Sequence, residues 1–416
     1  MRHATPLARF KWKLDYEKSV LSETFERREG WARTEDDDWN FFWASAFTVQ
    51  GIFNPEKGRR LADDQLVNHY PNHFELSRKD FLLKNIKRYA KEMNKRGHSG
   101  PMSGPLSSLP RDFIPPSYLL PADYSIFVEE FRRSGSMWIM KPTNGAQGRG
   151  IFLVKNLDQV KKWSKMSGGG DGGQGQQQPA AHVISRYIER PLLIGGRKFD
   201  LRIYVLVTSF SPLRMYLGNG FARFCSSKYT NHTSEMQNLF VHLTNVSIQK
   251  RGESYNKSHG GKWKIKNLRL YLEATRGVDA TQKLFDDVDS LITHSAKAVQ
   301  NVMINDRHCF ECYGYDLLID NDLKPWLIEV NASPSLNATT VSDRMMKSKM
   351  MNDVVDIVLS DCFDNVRGSG RKERCQDHGD FIVLYDEEAE VERETSFFKN
   401  EGEKPSTRRG KHNNWR

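Results

Sequence analysis

Late in the chain, Tyr313-Gly-Tyr-Asp316-Leu-Leu-Ile-Asp320 and Pro325-Trp-Leu-Ile-Glu329-Val-Asn331 flank the turn Asn321-Asp-Leu-Lys324. Two apolar runs around a turn-forming tetrapeptide predict an antiparallel hairpin. Centred on that turn, it sets Asp316 opposite Glu329, and Asn331 shares the face of Glu329. Two carboxylates and an amide oxygen then converge between Leu317, Leu318, Leu327 and Ile328. Like charges so placed repel unless a cation lies between them. Hard oxygen donors of this kind suit magnesium, which takes few carboxylates and completes its shell with substrate phosphates. A solvent-exposed acidic hairpin is the plainer alternative.

Two earlier segments add chemistry. Ser136–Met140 reads as a strand ending at Lys141-Pro142, and Ile151–Val154 as its hairpin partner. Between them lies Gly145-Ala-Gln147-Gly148-Arg149-Gly150, whose glycines let backbone N–H groups approach phosphate oxygens while Lys141 supplies a point charge. Taken alone, such a loop fits an ordinary hairpin equally well. It is neither a Walker loop nor a kinase loop, since the lysine, His-Arg-Asp and Asp-Phe-Gly partners of those motifs are missing. The run Gly195-Gly-Arg-Lys198-Phe-Asp200-Leu-Arg202-Ile-Tyr-Val205 alternates, with Lys198, Asp200 and Arg202 on one face and Phe199, Leu201 and Ile203 on the other. It suits the wall of a polar cleft, or else a salt-bridged surface strand. A phosphate-cradling loop, two lysines on separate strands and a late acidic hairpin together describe an ATP-grasp site, with ATP between two antiparallel sheets. The expected class is α/β (α+β).

A chain of 416 residues is long enough for about two or three domains. The expected layout is an N-terminal α/β domain over 1–76 and a central subdomain over 77–180 with a Gly/Gln-rich disordered loop at 167–179. A C-terminal catalytic subdomain over 181–366 and a flexible charged tail over 367–416 follow. Ser77 reads as the N-cap of a helix from Lys79 to Lys95. Its face of Lys84, Lys87, Arg88, Lys91 and Lys95 is either solvated or a surface for an acidic partner. Residues 97–117 read as a loop. The net charge of +10 favours acidic partners: nucleic acid, an anionic membrane or a polyanionic protein tail. No run approaches the ~20 apolar residues of a membrane span, and the N-terminus lacks the apolar core of a signal peptide. Five scattered cysteines predict a reducing, cytoplasmic setting, and Cys309-x-x-Cys312 without a second pair makes a poor zinc site.

The chain also resembles the tubulin-tyrosine-ligase-like family. The resemblance runs from about Trp12 to Asp361 and is carried by Asn68-His-Tyr-Pro-Asn-His-Phe-Glu-Leu-Ser-Arg-Lys-Asp80, Phe127-Val-Glu-Glu-Phe-Arg132, Gly195–Arg202, Val241-His-Leu-Thr-Asn245 and Trp326–Ser335. Tyr16–Leu21, Leu119–Asp123 and His308–Asp316 place it nearest the polyglutamylase members. The resemblance implies that Lys141 and Lys198 contact ATP phosphates and that Gln147, Gly148, Arg149 and Gly150 form the phosphate loop. Ser185, Arg186, Tyr187 and Ile188 would hold the adenine. Phe199, Asp200, Thr244 and Asn245 would complete the nucleotide site, and Asp316, Glu329 and Asn331 would bind magnesium as two ions. Lys198, Arg202 and Glu329 would be catalytic, Arg202 by stabilising charge on the transferred phosphoryl group or acyl intermediate. Arg223, Lys262 and Lys347 would hold the carboxylates of free glutamate. Arg149 stands where relatives often carry lysine, a change tolerable if only backbone N–H groups bind phosphate.

The reaction so implied is ligation of glutamate to γ-carboxylates in the acidic C-terminal tails of tubulin. The rivals are a glycylase on the same fold, an inactive microtubule-binding scaffold and a nucleic-acid binder. Two cations beyond those glycine needs argue against the first, intact phosphate and magnesium residues against the second, and the lack of any RNA or zinc-finger motif against the third. No membrane partner is expected. No long basic appendage follows the catalytic segments, so non-catalytic partner subunits are expected. The expected setting is cytoplasm and cytoskeleton, at cilium or flagellum axonemes and basal bodies.

Overall fold

Aromatic segments near the start of the chain build a parallel sheet of order β2-β1-β3-β4, from β1 (Phe10–Leu14), β2 (Trp31–Arg33), β3 (Phe41–Trp43) and β4 (Leu66–Val67). The computed structural model describes residues 10–57, 60–96, 112–145, 147–166, 181–253, 255, 261–338, 340–363 and 377–393. Helix α1 (Ser19–Glu26) packs Val20, Leu21 and Phe25 against Trp12 and Phe41. Helix α2 (Ala46–Ile52) is capped by Ser45, whose hydroxyl accepts the Thr48 N–H at 3.1 Å. A short α3 (Phe74–Ser77) leads into α4 (Lys79–Arg96). The helix expected from Lys79 is present. Ser77, however, ends α3 and donates its hydroxyl to the His73 carbonyl instead of capping α4.

The second sheet is antiparallel, of order β5-β8-β6-β7, from β5 (Ser117–Leu120), β6 (Trp138–Pro142), β7 (Phe152–Val154) and β8 (His182–Arg186). The β6–β7 hairpin has the expected pairing, with Trp138 opposite Val154 and Met140 opposite Phe152. Helices α5 (Tyr124–Ser134) and α6 (Leu157–Met166) cover it around Phe127, Trp138, Val160 and Ile184. Because β8 pairs with β5 and β6, the expected boundary at residue 180 falls inside this sheet. The loop over 167–179, like 97–111, lies outside the described residues, and Ser117 already belongs to β5.

The third sheet is the largest. It comprises β9 (Leu193–Ile194), β10 (Arg197–Phe210), β11 (Leu213–Phe224), β12 (Lys262–Lys264), β13 (Glu311–Ile319), β14 (Pro325–Asn331), β15 (Asp377–His378) and β16 (Phe381–Asp386). The path is β14-β13-β10-β11-β16-β15, with β12 on β11 and β9 on β10. Two short helices, α7 (Leu239–His242) and α8 (Val246–Gln249), precede α9 (Ile265–Arg276) and α10 (Val278–Gln300). Alternation decides which residue goes where: Phe199, Leu201, Ile203 and Val205 enter the core shared with α4, α9 and α10. Tyr204 and Leu206 enter the core under α11 (Val341–Val358) and α1.

The expected flexible tail from residue 367 needs correction where it is described. Residues 377–393 extend the third sheet with β15 and β16 and end in a helical turn at 387–393. The run Phe381-Ile-Val-Leu-Tyr385 supplies a buried Phe381, and Arg214 bridges Asp386 at 3.0 Å and Asp361 at 3.3 Å. A β-carbon on Gly218 would lie 2.5 Å from the Phe381 ring, so glycine there admits the ring. Phe381→Ala should cost about 3–5 kcal/mol, read as a lower denaturant midpoint with an unchanged slope.

Candidate active site

The second and third sheets, with α4, wall an open cleft. The end of β6 brings Lys141, β8 brings Ser185 and Arg186, β10 brings Lys198 and Asp200, and the β13–β14 hairpin brings Asp316 and Glu329. Tyr187, Ile188, Gln147, Gly148, Arg149, Thr244 and Asn245 also line it. Much of the remaining wall is apolar, from Leu82, Ile86, Ile139, Leu318 and Leu327. The hairpin register read from sequence is the one observed: Asp316 pairs with Glu329, and a bulge follows.

Three lysines meet here. Lys141 is buried, and burial pulls its ammonium down to about 8, with Glu329 opposing and Lys79 and Lys198 adding to the fall. Burial also lowers Lys198, which donates to the Tyr187 hydroxyl at 3.0 Å and the His242 carbonyl at 2.9 Å. Lys79 pairs with Glu329 at 3.3 Å and donates to the Gly145 carbonyl at 3.0 Å. The loop after β6 is bent tightly: Gln147 and Gly148 both adopt left-handed φ, of 59° and 77°. Ser247 donates to the Gln147 carbonyl at 3.1 Å. A β-carbon on Gly148 would strike Ile248 at 2.5 Å. A left-handed glutamine costs about 1–3 kcal/mol and persists where the surroundings fix it, often at ligand sites.

Beside the cleft lies a buried ion network. Arg202 clasps both oxygens of Asp316, at 2.5 and 3.0 Å, from the neighbouring strand. Arg223 clasps Asp200 across the β10–β11 ladder and reaches Asp316 at 2.9 Å. The two guanidinium groups hold the Asp316 carboxyl well below the usual carboxylate range, against the opposing pull of burial. Lys262 lies opposite Arg223 on β12. It and Lys347 share Asp343, at 2.8 and 3.3 Å, and Lys347 also donates to the Asn337 carbonyl at 2.7 Å. Burial lowers both ammonium groups, Lys347 to about 8.

The structure thus gathers most residues singled out from sequence into two adjoining clusters. Phe199 is not among them: it is buried on the opposite face of β10, stacked 5.2 Å from Phe224, as alternation from Lys198 requires. Gly150 packs on Pro142 without lining the cleft. Asn331 follows Glu329 along β14, and its amide donates to the Gly314 carbonyl at 3.2 Å. Arg223 is occupied by two aspartates. Sequence reasoning missed Lys79, His242 and Asp343. Lys79 reads there only as the first residue of a basic helix, and no linear spacing links it to Glu329.

A model of the tubulin-tyrosine ligase family matches residues 58–366. The chain belongs to that family. It is 48% identical over 393 residues to a probable alpha-tubulin polyglutamylase of Tetrahymena thermophila, covering 92% of this chain and 94% of the relative. It is 42% identical to a probable tubulin polyglutamylase of Caenorhabditis elegans, over 82% of this chain and 78% of the relative. A mouse tubulin polyglutamylase is 34% identical over 79% of this chain and 23% of its own length.

Removing the shared carboxylate should leave two buried guanidinium charges undercompensated. Asp316→Asn should therefore cost about 3–5 kcal/mol in denaturant unfolding. The sign with pH follows from the lowered value. Asp316 contributes stability above its ordinary 3.8 and loses it as pH falls toward its folded value. The variant should accordingly show a shallower loss of stability in acid.

Proposed function

We propose that this chain is a tubulin polyglutamylase on an ATP-grasp fold. It uses ATP to join free glutamate, through an isopeptide bond, to γ-carboxylates of glutamates in tubulin C-terminal tails. The relatives named above support the substrate. The observation that carries the chemistry is the convergence of Lys79, Lys141 and Lys198 with Asp316 and Glu329 at one cleft.

ATP would lie between the second and third sheets, its base along Ser185–Ile188 and its phosphates against the three lysines and the backbone of the loop at Gln147–Gly150. Asp316, Glu329 and Asn331 would offer magnesium two carboxylates and one amide, the carboxylates shared with Arg202, Arg223 and Lys79, which already hold them. Among the described residues no group of three or more His, Cys, Asp or Glu is arranged to hold a metal, so phosphate oxygens would complete the shell. When bound, the ion supplies charge neutralisation at the transferred phosphoryl group. The acceptor γ-carboxylate attacks the γ-phosphate, giving an acylphosphate and ADP. The amino group of glutamate then displaces phosphate. No covalent enzyme nucleophile is required. Arg202, locked by Asp316, holds a fixed positive charge beside the acyl centre, and the lysines orient the phosphates. Lys262 and Lys347, kept apart by Asp343, would take the carboxylates of glutamate, with Arg223 beside them. Glycine lacks the second carboxylate. Non-catalytic subunits, and residence on cytoplasmic and ciliary or basal-body microtubules, belong to the same reading.

Glu329→Gln should reduce incorporation of labelled glutamate into tubulin by more than ~100-fold at saturating Mg-ATP. Full retention would sink the reading, and preferential incorporation of labelled glycine would move it to a glycylase. Proton linkage offers a second check. Lys141 sits near 8 against an ordinary 10.5, and phosphate oxygens would favour its charged form. Mg-ATP binding near pH 9 should therefore take up protons, and the uptake should vanish below about pH 7, where Lys141 is already charged. Calorimetry in two buffers of different ionisation enthalpy measures this, and Lys141→Met should diminish it.

A further inference from the structure

A second cavity adjoins the cleft and is lined in part by Lys18, His69, Gln147, Ser333 and Asn337. Gln147 belongs also to the nucleotide cleft. Ser333 lies two residues past Asn331, and the Asn337 carbonyl accepts Lys347. The cavity therefore shares Gln147 with the cleft, takes in the segment that follows β14, and is lined by Asn337, the residue whose carbonyl holds Lys347.

His69 is nearly fully buried on this wall, and Glu311 behind it is fully buried. Their meeting depends on backbone: Val67 donates to the His308 carbonyl at 2.8 Å, and Phe310 donates back to Val67 at 3.1 Å. The carboxylate of Glu311 lies 2.8 Å from His69 Nδ1 and accepts the Tyr70 N–H at 3.2 Å. A carboxylate on Nδ1 fixes the tautomer, with the proton there and the Nε2 lone pair outward. Nε2 is 3.4 Å from the Ser333 hydroxyl. A histidine used only for packing has no need of a buried carboxylate behind it and a hydroxyl in an open cavity in front. Among the described residues, the charged or titratable groups around the pair include Cys312 and Tyr313 from β13, Tyr70 next in the chain, His73 just before α3 with its ring 5.5 Å away, and Tyr16 and Lys18 on the cavity wall. Burial pushes His73 down.

We propose that His69, oriented by Glu311, is the proton acceptor for the amine that forms the new bond. This rests on the acylphosphate reading above. The ammonium of glutamate gives one proton to Nε2, directly or through the Ser333 hydroxyl. Its nitrogen lone pair then forms the C–N bond as the C–O bond to phosphate breaks. The electron pair leaves with phosphate, which takes the second amine proton as hydrogen phosphate.

The test uses the full chain with the subunits that co-purify from cells, tubulin, Mg-ATP and either glutamate or hydroxylamine. Hydroxylamine is unprotonated at neutral pH and traps an acylphosphate as hydroxamate without a base. His69→Gln should lower amide formation about 100-fold at pH 7, with the deficit shrinking as pH rises, while hydroxamate formation stays at the wild-type rate. Glu311→Gln should show the same split, and it serves if His69→Gln fails to fold. Equal loss of both products, or amide formation undiminished, would overturn the proposal. A wild-type enzyme that makes amide but no hydroxamate would overturn the acylphosphate reading itself, and this proposal with it.

Discussion

The arrangement of the site depends on a buried pair of arginines and a pair of aspartates spread over three adjacent strands. Arg202 on β10 holds Asp316 on β13, and Arg223 on β11 holds Asp200 on β10 while reaching Asp316. Buried charges of this kind are costly to desolvate, and each is tolerated because its neighbour neutralises it. Their geometry is set by ladder register, so the same backbone bonds that build the sheet also place four charges to within hydrogen-bond length. A one-residue slip of β10 would send Asp200 and Arg202 into the apolar core and strand Arg223 and Asp316 without their partners.

That network separates two charged clusters. On one side lies the cleft with Lys79, Lys141 and Lys198; on the other, Lys262 and Lys347 around Asp343. Burial makes the lysines easier to discharge, which destabilises the empty site and favours an anionic occupant. The N-terminal sheet contributes from behind: β4 pins its following residues to the start of β13, and this brings His69 to Glu311.

Much of this was legible in sequence because it is local. The β13–β14 turn and the alternation along β10 placed Asp316 opposite Glu329 and set Lys198, Asp200 and Arg202 on one face. The same alternation ought to have excluded Phe199, which resemblance alone had put with the nucleotide. The tail reads as flexible in sequence because Phe381–Tyr385 is a single short apolar run in a charged context. It is a strand only because β11 offers an edge to pair with and Gly218 leaves room for the Phe381 ring.

By itself, the sequence determined period and turn: which residues share a face, where the hairpins fold, and that a lysine, a glycine loop, a second lysine and a pair of carboxylates follow one another along the chain. Only the tertiary structure decided which of those charges are already spent on one another. Arg223 and Asp316 neutralise each other, Lys79 is recruited to Glu329 from a distant helix, and His69 finds Glu311 across two sheets. The physical reason is that periodicity is a property of neighbouring residues, whereas charge compensation in a buried site is settled by whichever opposite charge the packing brings within reach.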